Sequence, residues 1–152
     1  MKSLDDIMRE RENNARISYA DGVIRGYDHM KNVAKHEAEA ITEIRARVGP
    51  HSITYEEPSL AACNSGSGAS SRGPDMDGYV TDITEHEEKY MRASEYCSRI
   101  DDWRNGLPDE QRTIIDDYYF KGESLYWIAD RMYMARNSVR KRLRDALMTF
   151  PS

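Results

Sequence analysis

Through most of this chain apolar side chains recur at steps of three and four, the spacing that lines them up on one face of a helix. Between about Ser3 and Val48, Tyr27, Met30, Ala34, Ile41, Ile44 and Val48 form one stripe of near-heptad spacing, in a stretch free of proline. The spacing predicts one long helix, with a break near Asp21 and Gly22 as its weak point. Ser3 and Asp6 stand in a capping arrangement at its start, and Gly49-Pro50 supplies a stop. A second long helix is predicted from about Tyr79 to Asn105, with Ile83, His86, Tyr90, Ala93, Cys97, Ile100 and Leu107 along its seam. Two helices with one narrow apolar seam each bury those seams as an antiparallel hairpin, or between two copies as a homodimer; the pattern fits both.

Between these helices, residues 49–78 contain three prolines, repeated serine and glycine, and few large apolar side chains. Such a composition does not repay the entropy of ordering, so the expectation is a flexible linker with at most an extended piece at Ser52 to Tyr55. It serves as a tether, or as a docking loop through Ile53, Tyr55 and Leu60.

Three short amphipathic segments begin at Leu107. Leu107-Pro108-Asp109-Glu110 opens the first, with proline near the first turn and acidic residues where the helix dipole favours them. Ile114, Ile115, Tyr118 and Tyr119 take its inward side, and Lys121-Gly122 ends it. Ser124 is placed to cap a second helix holding Leu125, Ile128, Ala129 and Met132. A tight turn over Tyr133 to Ala135 leads into a third, in which Val139, Leu143, Ala146 and Phe150 share the inward face.

The expected architecture is therefore all-α: a coiled-coil-like antiparallel two-helix hairpin followed by a helix-turn-helix. It divides into an arm (1–48), a linker (49–78), a second long helix (79–106) and a C-terminal module (107–152).

Charge sharpens the reading of that module. The chain carries 22 Lys and Arg against 27 Asp and Glu, yet residues 107–152 hold 8 basic and 7 acidic side chains while residues 1–106 hold 14 and 20. The outward face of the third helix shows Asn137, Lys141 and Arg144, flanked by Ser138 and Arg140, with Arg136 at its exposed N-terminal end. A helix fits the DNA major groove with its N-terminal residues nearest the base edges. Arg136, Asn137 and Arg140 are thus the expected base readers, since arginine pairs twice with guanine and asparagine twice with adenine. Lys141, Arg142 and Arg144 are the expected phosphate contacts.

Catalytic and cofactor chemistry is not expected. His29, His36, His51 and His86 include no pair at metal-ligand spacing, and His86-Glu87-Glu88-Lys89-Tyr90 lacks the second histidine of a zinc hydrolase motif. Gly66-Ser67-Gly68 lacks the lysine of a phosphate loop. The acid pairs Asp101-Asp102 and Asp116-Asp117 are read as helix-surface residues that diverge by about 100° and make no metal site. No metal, no cofactor and no enzymatic activity are expected. Cys63 and Cys97 are read as unrelated thiols, and the absence of an apolar run of membrane-spanning length points to a bacterial host's cytoplasm.

Gly122, Ser124, Ile128, Ala129, Met132, Val139, Leu143, Ala146 and Leu147, after Leu107-Pro108, resemble region 4 of bacterial sigma factors. The resemblance implies promoter contacts at Arg136, Asn137, Arg140 and Lys141. With a helical arm and a Ser/Gly segment in front, the whole chain resembles the small phage and prophage transcriptional regulators of the ArpU/RinA-like group. That implies double-stranded DNA as a partner and activation of late genes. It departs from the region 4 pattern at Trp127, where glutamate is usual, at Tyr133, where the turn glycine is usual, and at Ala135, where a serine or threonine caps the recognition helix.

Sigma region 4 also binds RNA polymerase, which makes the expected surface residues Tyr126 and Trp127 polymerase contacts. An alternative keeps the DNA module and makes the protein a packaging component resembling a small terminase subunit. In those proteins the DNA module usually precedes the oligomerising helices, the reverse of the order here.

Overall fold

The computed structural model describes residues 1–48 and 76–152. Among them the chain is helical throughout, in the order α1 (Leu4–Arg25), α2 (Tyr27–Val48), α3 (Met76–Asn105), α4 (Asp109–Ile115), a π-helical turn (Asp116–Phe120), α5 (Leu125–Arg131) and α6 (Arg136–Met148). Most of the segment expected as a linker, with Cys63, His51, Ile53, Tyr55 and Leu60, lies outside the described residues. The helix expected from Tyr79 begins at Met76, so it takes in Gly78, a residue that costs a thirty-residue helix only about 1 kcal/mol.

The predicted start of α1 is present as a full capping box. The Ser3 hydroxyl accepts from the Asp6 backbone N–H at 3.1 Å and the Asp6 carboxylate accepts from the Ser3 N–H at 3.3 Å. The arm is not one helix, however, and it does not break at Asp21-Gly22. Gly22 lies inside α1 with nothing within 4 Å of where a Cβ would stand. The break is at Gly26, where the Tyr96 hydroxyl donates to the Val23 carbonyl and would lie 2.5 Å from a Cβ on residue 26. A side chain inserted into the ladder beside a glycine is a recognised cause of a kink.

Two compact units divide the described chain: Met1–Lys31 with Ser94–Ser152, and Asn32–Ala93. In the second unit α2 and α3 run antiparallel. Glu37 meets the His86 ring, Arg45 reaches Glu87 at 3.0 Å, and Ile41 is buried on the seam that the heptad spacing marks out. In the first unit Tyr27 donates to Asp101 at 3.0 Å, and Ala93's neighbours along the seam, Cys97 and Ile100, turn inward. The Tyr27 hydroxyl is pushed up to about 12 by its burial and by the Asp101 carboxylate.

The first unit has one core. Ala20 and Ile24 of α1, Ile100 and Trp103 of α3, Leu107, and Ile114, Ile115, Ile128, Ala129, Val139, Leu143, Ala146, Leu147 and Phe150 from the C-terminal segments pack as a single cluster. The C-terminal module therefore does not close on itself: α1 and the last turns of α3 complete it. Arg112 of α4 ties its helix back to the end of α3, donating to the carbonyls of Asn105 at 2.8 Å and Leu107 at 3.1 Å, acceptors that a helix end leaves open.

The acid pairs are not both at the surface, as the sequence led us to expect. Asp117 is only 2% exposed. The π turn, closed by the Lys121 N–H on the Asp116 carbonyl at 3.0 Å, turns Asp117 inward to pair with Arg131 at 2.5 Å and Lys121 at 2.9 Å. Arg131 also pairs with Glu123, and that contact holds the Glu123 carboxyl below the usual range.

Candidate nucleic-acid interface

α5 and α6 are held at their crossing by a turn that the local sequence does not favour. Ser124 caps α5, its hydroxyl accepting from the Trp127 N–H at 3.4 Å. At the other end the Tyr133 N–H bonds the Asp130 carbonyl at 3.2 Å and the Met134 N–H bonds the Ala129 carbonyl at 2.9 Å. That pair of bonds is a Schellman motif, which requires a left-handed residue between them. Tyr133 supplies it at φ 55° and is 97% exposed, so no burial offsets the strain. Ala135 then occupies the N-cap of α6 with no side-chain hydrogen bond. The departures read in the sequence at Tyr133 and Ala135 are thus structural facts.

Tyr133→Gly is expected to raise stability by about 1 kcal/mol, the usual cost of a left-handed non-glycine residue. Ala135→Ser adds up to about 1 kcal/mol more by capping. Chemical denaturation of the two variants measures both, and a Tyr133→Gly protein less stable than the parent refutes the strain.

From this turn α6 runs with Val139, Leu143, Ala146, Leu147 and Phe150 buried. Arg136, Asn137, Ser138, Arg140, Lys141 and Arg144 are exposed, and Arg142 is half-buried. The cations differ in what holds them. Arg142 Nε pairs with Glu110 at 2.8 Å and its guanidinium lies against the Met134 sulfur at 2.8 Å. Arg144 donates to the Asn14 side-chain carbonyl of α1 at 3.1 Å. Arg136, Arg140 and Lys141 have no ion pair with any described residue, so they are the cations of α6 available to an external anion.

The first helix, read from sequence as part of a separate arm, is what seats α6. Arg16 donates to the Met148 carbonyl at 3.4 Å and the Tyr19 and Phe150 rings meet at 6.3 Å, while from α3 the Trp103 indole N–H donates to Thr149 at 3.0 Å. Tyr119 donates to Asp21 at 2.7 Å, and Arg25 pairs with Asp21 at 2.9 Å. The contacts of α1 with α6 and the π turn join positions about a hundred residues apart in the chain and leave no periodic signal.

Asp21 joins α1 to the π turn through a carboxylate, which gives the joint a pH dependence. Burial works to raise its pKa, but the hydrogen bonds from Arg25 and Tyr119 outweigh that and hold it below the ordinary 3.8. A depressed folded pKa stabilises above the unfolded value and loses that contribution as pH falls through the folded one. Stability is expected to fall more steeply below about pH 4 in the parent than in Asp21→Asn, as read by urea midpoints across the acid range. Equal slopes would remove Asp21 from the acid response.

On α5, Tyr126 and Trp127 are 57% and 62% exposed, with their rings edge to face at 5.5 Å. Two adjoining aromatics open to solvent on the helix before the recognition helix form an apolar patch. Among the described residues no group of three or more His, Cys, Asp or Glu is placed to hold a metal ion, and no helix is long and apolar enough to cross a membrane.

No curated protein and no solved structure matches the chain. Residues 105–149, under a third of its length, match the family described as Sigma-70, region 4. The match takes in α4 to α6 and stops just short of Phe150. Those helices form a DNA-binding helix-turn-helix of the sigma region 4 type.

Proposed function

We propose that this protein is a sequence-specific, double-stranded DNA-binding transcriptional regulator, and a phage late-gene activator. The observation that carries the DNA reading is the trio of cations without an ion pair among the described residues, Arg136, Arg140 and Lys141, on the outer face of a helix whose other face is buried. Arg136, Asn137 and Arg140 read base edges, with Ser138 beside them, and Lys141 neutralises phosphate. Arg144 reaches phosphate by exchanging its contact with Asn14. Arg142 does so only by leaving Glu110, and therefore contributes least. Selection of bound sequences from a random duplex pool tests the reading: recovery of one preferred site supports it, and recovery of an unenriched pool rejects it.

A second contact, to RNA polymerase, is favoured by the exposed Tyr126 and Trp127. Trp127→Ala is expected to abolish polymerase co-purification measured after nuclease digestion of DNA, with DNA binding retained. Co-purification unchanged by the substitution would exclude this surface.

A further inference from the structure

α1 presents two faces, and the core of the first unit uses one of them. Ile17, Ala20, Val23 and Ile24 pack inward. At about 100° per residue, Leu4, Met8, Arg11, Ala15, Ser18 and Gly22 fall on a stripe roughly 170° from that face, at alternating steps of four and three. Leu4, Met8, Arg11, Ala15, Ser18 and Gly22 are exposed, as is Ile7 beside them. Leu4 is 75% and Met8 59% exposed, and the space over Gly22 is open. This is a heptad seam laid along a helix whose opposite side already supplies its share of the core.

The seam is graded in size: Leu4, Met8 and Arg11 are large, whereas Ala15, Ser18 and Gly22 are small. Two parallel copies would set large on large at one end and small on small at the other. Two antiparallel copies set Leu4 on Gly22, Met8 on Ser18 and Arg11 on Ala15, and a two-fold axis repeats the same three pairings. Charge agrees with that register. Near the axis it gathers Glu12 and Arg11 of both copies, so each carboxylate has a guanidinium of the other copy within about one helical turn.

We propose that the outer face of α1 binds a second copy of this chain, antiparallel, in the register Leu4 to Gly22, Met8 to Ser18 and Arg11 to Ala15. The surface is distinct from the seams of α2 and α3, which are used within the chain. It does not depend on the DNA reading, and it lies beside α6 through the Asn14–Arg144 contact, so the dimer carries two recognition helices about one axis.

The test uses the full chain without DNA. Sedimentation equilibrium is expected to show a dimer, and Met8→Glu, with its helix content unchanged by circular dichroism, to weaken it at least tenfold. For the register, chains bearing Cys63→Ser and Cys97→Ser are given either Met8→Cys or Ser18→Cys. The mixture is expected to form an interchain disulfide on mild oxidation. Met8→Cys alone is not, because the two copies of position 8 stand about 15 Å apart along the axis, beyond disulfide reach. A monomer at all concentrations, a dimer indifferent to Met8→Glu, or self-linking of Met8→Cys overturns the proposal. Loss of DNA binding in a protein that still dimerises leaves it standing and counts against the DNA reading alone.

Discussion

Replacing Arg136 and Arg140 together by alanine is expected to lower affinity for the preferred duplex by about thirtyfold or more, leaving the fold intact. Each guanidinium that pairs twice with a base discriminates by roughly 1 to 3 kcal/mol, so two of them account for about 2 to 6 kcal/mol. Neither side chain has an ion pair among the described residues, and both are exposed, so their removal breaks no ion pair there. The two kinds of cation separate by salt. Lys141→Ala should weaken binding to all sequences alike and reduce the slope of log affinity against log salt by about one, whereas the Arg136 and Arg140 substitutions flatten the preference among sequences. Titration of preferred and scrambled duplexes at several salt concentrations measures all three. Affinity and preference both unchanged in the double variant would remove α6 as the reading helix.

Ile24→Ala is expected to destabilise the helix-turn-helix although it lies more than eighty positions before it. Ile24 is fully buried in the cluster that includes Ile114, Ile115, Ile128 and Val139, and truncation of such a side chain costs about 2 to 5 kcal/mol. The more severe form of the same experiment is a fragment of residues 105–152. It keeps the whole family match but lacks Ala20, Ile24, Ile100 and Trp103, and a stretch of that size is marginal even with a complete core. It should show little helix by circular dichroism, and a peptide of residues 1–31 should restore only part of it, because Ile100 and Trp103 remain missing. A fragment that folds cooperatively on its own would show that α1 is an accessory and not a wall of the core.

The contrast between α6 and α1 shows which features a sequence discloses. The exposed face of α6 was legible because it is local: Val139, Leu143, Ala146 and Phe150 sit at 3.6-residue periodicity, and that alone fixes which side Arg136, Asn137 and Arg140 take. Ser124 and the Ser3–Asp6 box were legible for the same reason, as caps within one turn of the groups they satisfy. The turn at Tyr133 was legible as an offence against backbone preference.

What stayed hidden is non-local. Gly22 and Gly26 look alike in a string of letters, and only the arrival of the Tyr96 hydroxyl from seventy residues away makes Gly26 the bend. Asp117 beside Asp116 suggests a solvated pair, until one π turn points it at Arg131. The docking of α1 leaves no trace because its inward residues and the exposed apolar Leu4, Ile7 and Met8 lie on different sides of the helix and their signals cancel. For the same reason the four-part division of the chain misses that its first part and its last share a core.

That shared core has a consequence for how the protein comes into being on the ribosome. Ile24 and Ala20 are translated long before Val139 and Ala146, and at roughly 5 to 20 residues per second the interval is on the order of 6 to 25 seconds. During it the inward side of α1 is apolar surface waiting for partners that have not been made. Contacts as distant as Asn14 with Arg144 are also the kind that slow folding, since a long loop must close before they form. That surface stays open until α6, the last of these helices in chain order, has been made and can close the core.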